Sequence, residues 1–275
     1  TAQYNGYLEK DVRKIGEYAI LDDFCGHIER IADKICMESR MEESLEFIDL
    51  RTVEERLHGK NSIAHEFVDK RRGWGRSRFI PVDYDEDGRL LHVIYCIESI
   101  DEEKKRENRL LYLAQTDLMT GLCNRGSGER RINELLQERM GGLLCLLDCD
   151  KFKAVNDTYG HSVGDKVIIA VAESLQKSCR ENDVLLRLGG DEFAIFMPGL
   201  LEQKSAEKFF DRLFENVGEI AIEEMQGKHV EISLGACFYD GSEFVSFDQL
   251  YRNADRAMYQ SKKKQGYSAT IYDGQ

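Results

Sequence analysis

The sequence has little proline, no long hydrophobic run and no excess of basic residues, and each shortage excludes something. Only two of the 275 residues are proline, so domain boundaries have to be found from charge runs and changes in hydrophobic period. The longest aliphatic run, at residues 143–147, is far shorter than the ~20 apolar residues that span a bilayer. This segment is therefore expected to make no membrane contact. Because Thr1 is not a methionine, we expect it to come from a longer protein, which an upstream part could anchor to a membrane.

Basic residues are outnumbered by acidic ones, 38 to 51, which gives a formal net charge of −13 at pH 7. A chain with this balance lacks the positive surface that attracts duplex nucleic acid or anionic lipid, so no nucleic-acid partner is expected. With 42% hydrophobic and 32% charged residues, it has the composition of one or two globular domains. A phosphate-bearing ligand would need a metal ion or a local basic pocket.

Cysteine is present at eight positions, but no two of them form a C-x-x-C pair. Several of the cysteines lie inside apolar runs, where a free thiol behaves as a small hydrophobic side chain. This usage predicts a cytoplasmic protein without disulfides and without a zinc site.

A charged run at residues 101–109 separates two apolar regions and predicts a solvated helix. We assign residues 1–100 to a first domain, residues 101–115 to a helical linker and residues 116–275 to a second domain. A heptad-like series of positions crosses the linker: Ile97, Ile100, Lys104, Glu107, Leu111, Ala114 and Leu118. Two charges interrupt this series, which fits a dimerising coiled coil and an exposed linker helix about equally well.

Apolar runs near the end of the first domain predict a small antiparallel sheet. A largely helical stretch to about Leu57 is followed by runs at residues 62–68, 76–82 and 89–97, with an Asp87-Gly88 turn between the last two. With the acidic helix start that follows, this small α+β arrangement resembles the C-terminal part of a PAS sensor domain and its exit helix. The resemblance is partial, because no opening strands are evident.

Hydrophobic periodicity in the second domain predicts alternating strands and helices. The predicted strands are 143–148, 184–188, 193–197 and 229–238, and the predicted helices are 165–178 and 204–217. This order is β-α-β-β-α-β, the ferredoxin-like or palm pattern of an α+β fold. A last helix is predicted after Ser246, whose spacing to Gln249 fits a capping box.

Acidic side chains occupy the two strand ends that this pattern makes adjacent. The first and third strands ordinarily lie side by side and antiparallel, so Asp148 and Asp150 should meet Asp191 and Glu192. A lone D-x-D or Gly-Gly-Asp is commonplace and usually marks a surface turn. Here the two motifs indicate a site because they fall at the two strand ends that the topology makes adjacent. Clustered carboxylates repel one another unless a cation neutralises them, and oxygen ligands suit Mg²⁺. The sequence therefore predicts a magnesium site at these strand ends.

Three ordered motifs carry a family resemblance. They read DLMTGLCNR at residues 117–125, DCDKFKAVNDTYGHSVGD at residues 148–165 and RLGGDEF at residues 187–193. Together they resemble the GGDEF diguanylate cyclases, from about Thr116 to the end of the chain. The resemblance implies a nucleotidyl-cyclase palm, an antiparallel sheet with helices, that condenses two GTP molecules into cyclic di-GMP and releases pyrophosphate. The E-A-L motif of the corresponding phosphodiesterases is absent from the sequence.

The resemblance also implies roles for the acids. Asp148, Asp191 and the backbone carbonyl of Cys149 would hold two Mg²⁺ ions per active site, and such a pair of ions can stabilise both the attacking and the leaving oxygen. Asp191 and Glu192 are the candidate catalytic residues, Glu192 acting as general base or as an additional metal ligand. Asp150 is a weaker candidate that could simply support the turn.

Substrate-binding residues are implied after the first strand and near the C-terminus: Asn156, Asp165, Lys153, His161 and Lys262. A carboxylate at Asp165 accepts from the adjacent N1–H and N2–H groups of guanine, whereas adenine has an acceptor at N1, so GTP is favoured over ATP. Lys153 would reach phosphate, and His161 would touch substrate or hold the loop. In the lysine segment the family's glycine comes one residue late and the basic residue after it is absent, so Lys263 is an alternative to Lys262.

An R-x-x-D motif, Arg180 to Asp183, stands shortly before the glycine pair. Alone it is usually a surface ion pair, but at this offset it resembles the inhibitory site where the family binds its own product. Cyclic di-GMP would then be product and inhibitor, with Arg180 pairing with phosphate and Asp183 accepting from guanine. Because the product has two-fold symmetry and one palm site holds one GTP, a homodimer is expected.

Three functions stay open on the sequence alone. An active diguanylate cyclase retains all the expected acids. A catalytically silent GGDEF module that binds GTP or cyclic di-GMP as a regulatory sensor is compatible with the altered lysine segment. A related cyclase or polymerase-like palm acting on another nucleotide is disfavoured by Asp165.

Overall fold

The computed structural model describes residues 2–3, 20–21, 41–69, 73–264 and 266–274. The contacts between residues divide the chain into two compact units, Thr1–Arg109 and Leu110–Gln275. The first described elements are two short strands that pair antiparallel, β1 (Ala2–Gln3) and β2 (Ile20–Leu21). In the part of the chain that the structure describes, no helix combines the length and the hydropathy needed to span a bilayer.

In the first unit, two helices pack on a three-stranded antiparallel sheet. Its further elements are α1 (Met41–Ile48), α2 (Leu50–Leu57), β3 (Ile63–Asp69), β4 (Gly73–Tyr84) and β5 (Leu90–Ser99). The strand order β3-β4-β5 confirms the three predicted strands and the turn at Asp87-Gly88, where Gly88 has a φ of +80°. Val53, Leu57 and Phe79 form a buried cluster between α2 and the sheet. The prediction of a largely helical stretch to about Leu57 is wrong at residues 2–3 and 20–21, where backbone pairing forms β1 and β2 instead. The other residues before Met41 lie outside the described residues, and the PAS resemblance stays a prediction.

A third helix, α3 (Asp101–Gln115), follows, and none of its residues is buried. Its first residue accepts a hydrogen bond from a backbone N–H of β4 at 3.2 Å. The predicted heptad series is too long, because Ile97 lies in β5, Ile100 is buried before the helix begins and Leu118 follows the last turn. The members of the series that the helix carries are Lys104, Glu107, Leu111 and Ala114.

A six-stranded sheet forms the centre of the second unit. Its elements are β6 (Cys123–Asn124), α4 (Arg125–Gln137), β7 (Gly142–Cys149), α5 (Phe152–Tyr159), α6 (His161–Ser178), β8 (Val184–Gly189), β9 (Glu192–Pro198), α7 (Gln203–Gly218), a 3₁₀ turn (Glu223–Met225), β10 (Ile232–Tyr239), α8 (Phe247–Ser261) and β11 (Ser268–Ile271). The strand order is β11-β10-β7-β9-β8-β6. Strand β7 pairs antiparallel with both β9 and β10, and β8 pairs antiparallel with β9. This arrangement confirms the predicted α+β palm.

Helices cover both faces of this sheet. All eight residues of β7 are buried, and alternate side chains of a strand point to opposite faces. On one face, Leu143, Cys145 and Leu147 belong to a cluster with residues of α6 and α7. On the other face, Leu144 and Leu146 belong to a cluster with residues of α4 and α8. The unit therefore has three layers, with β7 held in the middle one.

Several helix and strand boundaries differ from the prediction. The long helix predicted at 165–178 begins earlier, at His161, after a separate helix α5 and a Gly160 with a φ of +86°. The pattern also missed α4 and the short edge strands β6 and β11, which contain two and four residues. The predicted cap of α8 is confirmed, because Ser246 Oγ accepts from the backbone N–H of Gln249 at 3.4 Å.

Helix α8 lies very close to β10 because position 235 is glycine. A Cβ at Gly235 would lie 2.1 Å from both the carbonyl oxygen of Ala254 and the backbone nitrogen of Met258. Neither atom belongs to a flexible side chain, so any larger residue would require the helix to move. Since Lys262 directly follows α8, this close packing also positions part of the candidate site.

Candidate active site

Two strand ends bring acidic residues together at one end of the sheet. Asp148, near the end of β7, is in register with Glu192 at the start of β9. The backbone N–H of Cys149 donates to the carbonyl oxygen of Asp191 at 3.4 Å, so Asp191 lies directly beside the end of β7. Asp150 follows in the next turn. The predicted meeting of these strand ends is confirmed, while the chemical roles of the acids stay predictions.

A mostly buried guanidinium holds the glycine turn that precedes Asp191. Gly189 and Gly190, with φ values of +149° and +57°, reverse the chain between β8 and β9 in a conformation that favours glycine. Arg187 donates to the carbonyl oxygen of Gly190 at 2.7 Å from Nη2 and to Asp117 Oδ1 at 3.2 Å from Nη1. Asp117, from the first motif, therefore steadies the turn through Arg187. No role was predicted for Arg187, although its position just before the glycine pair is a signal in the sequence that could have identified it.

The acid cluster affects the pKa values of its own members. Burial and the charge of Asp148 raise the pKa of Asp191 and that of Glu192 above their ordinary values. Lys262 provides one nearby cation, with its Nζ 2.7 Å from Asp148 Oδ2. Burial opposes the charge of Lys262, but the hydrogen bond to Asp148 and the neighbouring acids outweigh burial and raise the pKa of the lysine. The site is therefore one in which carboxylates repel each other and attract positive charge.

Of the three consecutive lysines, Lys262 contacts the acids and the other two have different partners. Lys263 Nζ lies over the ring of Tyr259, 4.4 Å from its centroid. Lys264 Nζ lies 3.4 Å from Thr270 Oγ1. The geometry therefore favours Lys262 over Lys263 as the lysine that would meet a ligand at the strand ends.

Asp150 has a hydrogen-bonding partner on β10. Ser233 Oγ donates to Asp150 Oδ1 and Oδ2 at 2.8 and 3.1 Å, and the backbone N–H of Asp150 donates to the carbonyl oxygen of Glu231 at 2.9 Å. Burial raises the pKa of Asp150, and the bond from Ser233 opposes that shift. These contacts fit a residue that supports the turn. Ser233, which is fully buried, was not singled out in the sequence because a lone serine in a strand carries no signal.

The residues expected to recognise the base lie on α5 and α6. Asn156 packs closely on Gly164: a Cβ at position 164 would lie 2.0 Å from Asn156 Oδ1. Asp165, the next residue, is exposed, so an amide and a carboxylate lie near each other on this surface. Lys153 and His161 are exposed as well, and neither side chain has a hydrogen bond or ion pair with any described residue. The structure gives no contact between these two side chains and the acid cluster.

The donors at the strand ends fit a hard divalent cation. Asp148, Asp191 and the carbonyl oxygen of Cys149 are all oxygen donors, which suit Mg²⁺ together with water and phosphate oxygens. The ammonium of Lys262 already lies against Asp148, which shows that this corner attracts a cation. Among the described residues, no three His, Cys, Asp or Glu side chains are grouped closely enough to hold a metal ion on their own. An ion here would therefore need backbone and substrate oxygens to complete its shell.

A cleft of about 430 Å³ lies at the opposite end of β8 from the glycine turn, and its lining includes Arg180, Asp183, Lys208 and Arg212. Asp183 Oδ2 accepts from the backbone N–H of Arg180 at 2.7 Å, and burial raises the pKa of Asp183. At ~3.3 Å per residue, strand β8 keeps this cleft about 17 Å from the glycine turn. Lys208 and Arg212 were not predicted, because they come from α7 and share no local motif with Arg180.

A family model matches the chain over most of the second unit. The model describes the GGDEF domain of diguanylate cyclases, and it matches residues 114–268, more than half of the chain. The matched range contains all three motifs, the acid cluster and the cleft with Arg180. It begins in the last turn of α3 and ends at the first residue of β11.

Individual relatives and solved domains are similar as well. Diguanylate cyclase DgcM of Escherichia coli (strain K12) is 31% identical over 189 residues, which cover 66% of this chain and 43% of that protein. The GGDEF domain of TpbB (YfiN) from Pseudomonas aeruginosa has 29% identity and a TM-score of 0.52, covering 57% of this chain and 94% of its own. The GGDEF domain of DgcB from Caulobacter crescentus, solved with c-di-GMP, has 27% identity and a TM-score of 0.52, covering 58% and 97%. This chain thus spans less than half the length of the E. coli relative.

Proposed function

Because this chain belongs to the GGDEF family of diguanylate cyclases, we propose that its second unit condenses two GTP molecules into cyclic di-GMP and releases pyrophosphate. The observation that carries the proposal is the register of Asp148 with Glu192 at adjacent strand ends, with Asp191 beside them. In this reaction a ribose 3′-hydroxyl attacks an α-phosphorus. The site must therefore accept a proton and stabilise the charge that develops on pyrophosphate.

In this proposal, Asp148, Asp191 and the carbonyl oxygen of Cys149 hold Mg²⁺, with two ions per active site. When bound, the metal supplies positive charge to the attacking and leaving oxygens. The side chain of Cys149 is buried, and burial raises the pKa of its thiol, so the backbone carbonyl is the group that it offers. Glu192 acts as general base or as an additional metal ligand, and its position opposite Asp148 supports either role.

Different residues are proposed to recognise the guanine base and the phosphates of GTP. Asp165 and Asn156 would accept from and donate to the guanine edge, and their proximity across Gly164 supports this pairing. Lys262 would donate to phosphate, as would Lys153 from the start of α5, and His161 would contact substrate or hold the loop. In an ATP complex the Asp165 carboxylate, covered by the base, would face the N1 acceptor of adenine and lose both donors. Leaving it unpaired there would cost about 1 to 3 kcal/mol, which supports a preference for GTP over ATP.

Product inhibition is assigned to the cleft at the far end of β8. Arg180 would pair with a phosphate of cyclic di-GMP and Asp183 would accept from its guanine. Lys208 and Arg212 line the same cleft and add positive charge for a ligand with two phosphates. Because the cleft lies about 17 Å along β8 from the glycine turn, product bound there would act at a distance from the acids.

A homodimer is part of the proposed mechanism. Two half-sites, each with one GTP, must face each other to make a product with two-fold symmetry. Helix α3 leaves apolar side chains unburied, with Leu110, Leu111 and Tyr112 at least half exposed, which supports contact with a second copy of this chain. We propose that the PAS-like region and α3 control the spacing of the two catalytic units. Unchanged dimerisation and specific activity after deletion of residues 1–108 would count against this control.

The test is to incubate the purified protein with Mg²⁺ and GTP, and separately with ATP, and to identify the products by mass spectrometry. Cyclic di-GMP from GTP is the expected result. Binding of GTP or cyclic di-GMP without turnover would instead identify a silent regulatory module. A cyclic dinucleotide formed from ATP alone would identify a palm enzyme with a different substrate.

A further inference from the structure

We propose that Arg256, on the exposed side of α8, binds the phosphates of GTP together with Lys262. This inference rests on the proposed function and adds a phosphate-binding residue to it. A cleft of about 380 Å³ contains Glu192, Arg256 and Lys262. Helix α8 and the residue that follows it therefore place two cations at one opening, next to an acid of the cluster.

The basic residue that would ordinarily accompany Lys262 is not available in this chain. The residue after Gly266 is Tyr267, which has no positive charge. Its ring packs against Phe214 with 5.5 Å between the centroids, and its Oη donates to the carbonyl oxygen of Val230 at 2.8 Å. Tyr267 is therefore fixed against the core and does not supply a phosphate donor beside Lys262.

Arg256 is free to supply that donor. Its side chain is exposed, and the guanidinium has no hydrogen bond or ion pair with any residue that the structure describes. Arg252, one turn earlier on the same helix, is exposed as well. It lies outside the cleft, however, and it donates to Gln249 Oε1 at 3.0 Å. A guanidinium with all its donors available can bind phosphate through two parallel hydrogen bonds.

The balance of charges that line the cleft also supports a role for Arg256. Glu192 and Asp255 carry negative charge into it, and Arg256 and Lys262 carry positive charge, so these four side chains are balanced before nucleotide arrives. Without Arg256 the cleft would be negative, and it would repel a triphosphate. Asp255 does not neutralise Arg256 directly, because consecutive residues of a helix do not face each other.

The proposal is tested by titrating the whole chain, with Mg²⁺ present, with a fluorescent GTP analogue and with GMP. Arg256→Gln is compared with the matched variant Arg252→Gln, which removes a similar charge outside the cleft. Loss of hydrogen bonds to a charged phosphate should weaken binding of the GTP analogue by about ten-fold or more in Arg256→Gln. Binding by Arg252→Gln should match the wild type. GMP, which lacks the β- and γ-phosphates, should bind all three proteins alike, and Arg256→Lys should lie between the wild type and Arg256→Gln.

Wild-type binding of the GTP analogue by Arg256→Gln would overturn the proposal. Equal weakening by both neutral variants would overturn it too, because the effect would then come from the general charge of the helix. Circular dichroism and thermal unfolding check that the variants are folded, which the exposure of both arginines leads us to expect. If the wild-type protein binds no GTP analogue with Mg²⁺, the proposed function itself fails, and that result is distinct from a failure of Arg256 alone.

Discussion

A methyl group at position 235 should push α8 away from β10 and disturb the site through Lys262. In Gly235→Ala, the new Cβ would meet two backbone atoms of α8 at 2.1 Å and the Cα of Met258 at 2.6 Å, so the helix has to shift. Overpacking of this kind costs about 1 to 3 kcal/mol, and backbone neighbours place this variant near the upper end. At about 2 to 4 °C per kcal/mol, the melting temperature should fall by about 5 to 10 °C. The contact of 2.7 Å between Lys262 and Asp148 should lengthen as well.

Thermal unfolding followed by circular dichroism measures the first effect, and kcat/KM for GTP below the transition measures the second. Gly126→Ala is the matched control: Gly126 lies exposed in α4, and a Cβ there would meet its nearest neighbour at 3.9 Å. That control should be neutral or stabilising by about 0.5 to 1 kcal/mol. A Gly235→Ala protein with wild-type melting temperature and kcat/KM would refute the packing of α8 on β10 and its link to the site.

Three further predictions concern inhibition, base choice and pH. Arg180→Ala should abolish inhibition by added cyclic di-GMP and leave the initial rate with GTP unchanged, because Arg180 lies at the far end of β8; a wild-type inhibition curve would contradict the site. Asp165→Ala should lower the ratio of kcat/KM for GTP to that for ATP by about ten-fold or more, and an unchanged ratio would remove Asp165 from base recognition. Burial raises the pKa of Asp117, but hydrogen bonds from Thr120 and the charge of Arg187 outweigh it and hold the pKa below its ordinary 3.8. The stability that Asp117 contributes is therefore full above about pH 4 and is lost as pH falls through the lowered folded-state pKa. Urea unfolding of the wild type and Asp117→Asn should show a difference at neutral pH that shrinks in acid, and a gap that persists unchanged would oppose this assignment.

The central strands and their acids could be predicted because one topological rule connects them. Strand β7 is a short apolar run that ends in Asp148, and two glycines mark the turn before Asp191. Once the β-α-β-β-α-β order is recognised, the first and third strands become neighbours. Their ends then meet without any knowledge of side-chain positions. The observed register of Asp148 with Glu192 is the outcome of that reasoning.

Contacts that depend on side-chain direction or on distant elements could not be predicted in this way. Arg187 and Asp117 are far apart in the chain, and their ion pair at 3.2 Å depends on the path of the loop before β6. Which of the consecutive lysines reaches Asp148 depends on the rotation of the last turn of α8. Lys208 and Arg212 join Arg180 because α7 packs against the end of α6, where Arg212 Nη2 donates to the carbonyl oxygen of Ser178 at 2.7 Å. No spacing in the sequence expresses that proximity.

The boundaries that were wrong have a similar cause. The edge strands β6 and β11 are defined by parallel pairing with β8 and β10, and they are too short to show a period of their own. The predicted heptad series wrongly included Ile97. In a strand with alternating apolar residues, some of those residues also fall at helical spacing, so the two patterns can be confused. Strand β5 continues to Ser99, so the helix begins later than the series implies.

The central claim is that acids from two distant segments form one metal-dependent catalytic site, and Asp191→Ala tests it most directly. Wild type and variant are incubated with GTP and Mg²⁺ under the same conditions, the products are identified by mass spectrometry, and circular dichroism with thermal unfolding verifies that both are folded. The account predicts cyclic di-GMP from the wild type, none from Asp191→Ala, and the same circular dichroism spectrum for both. Cyclic di-GMP formed by the variant at the wild-type rate would contradict it.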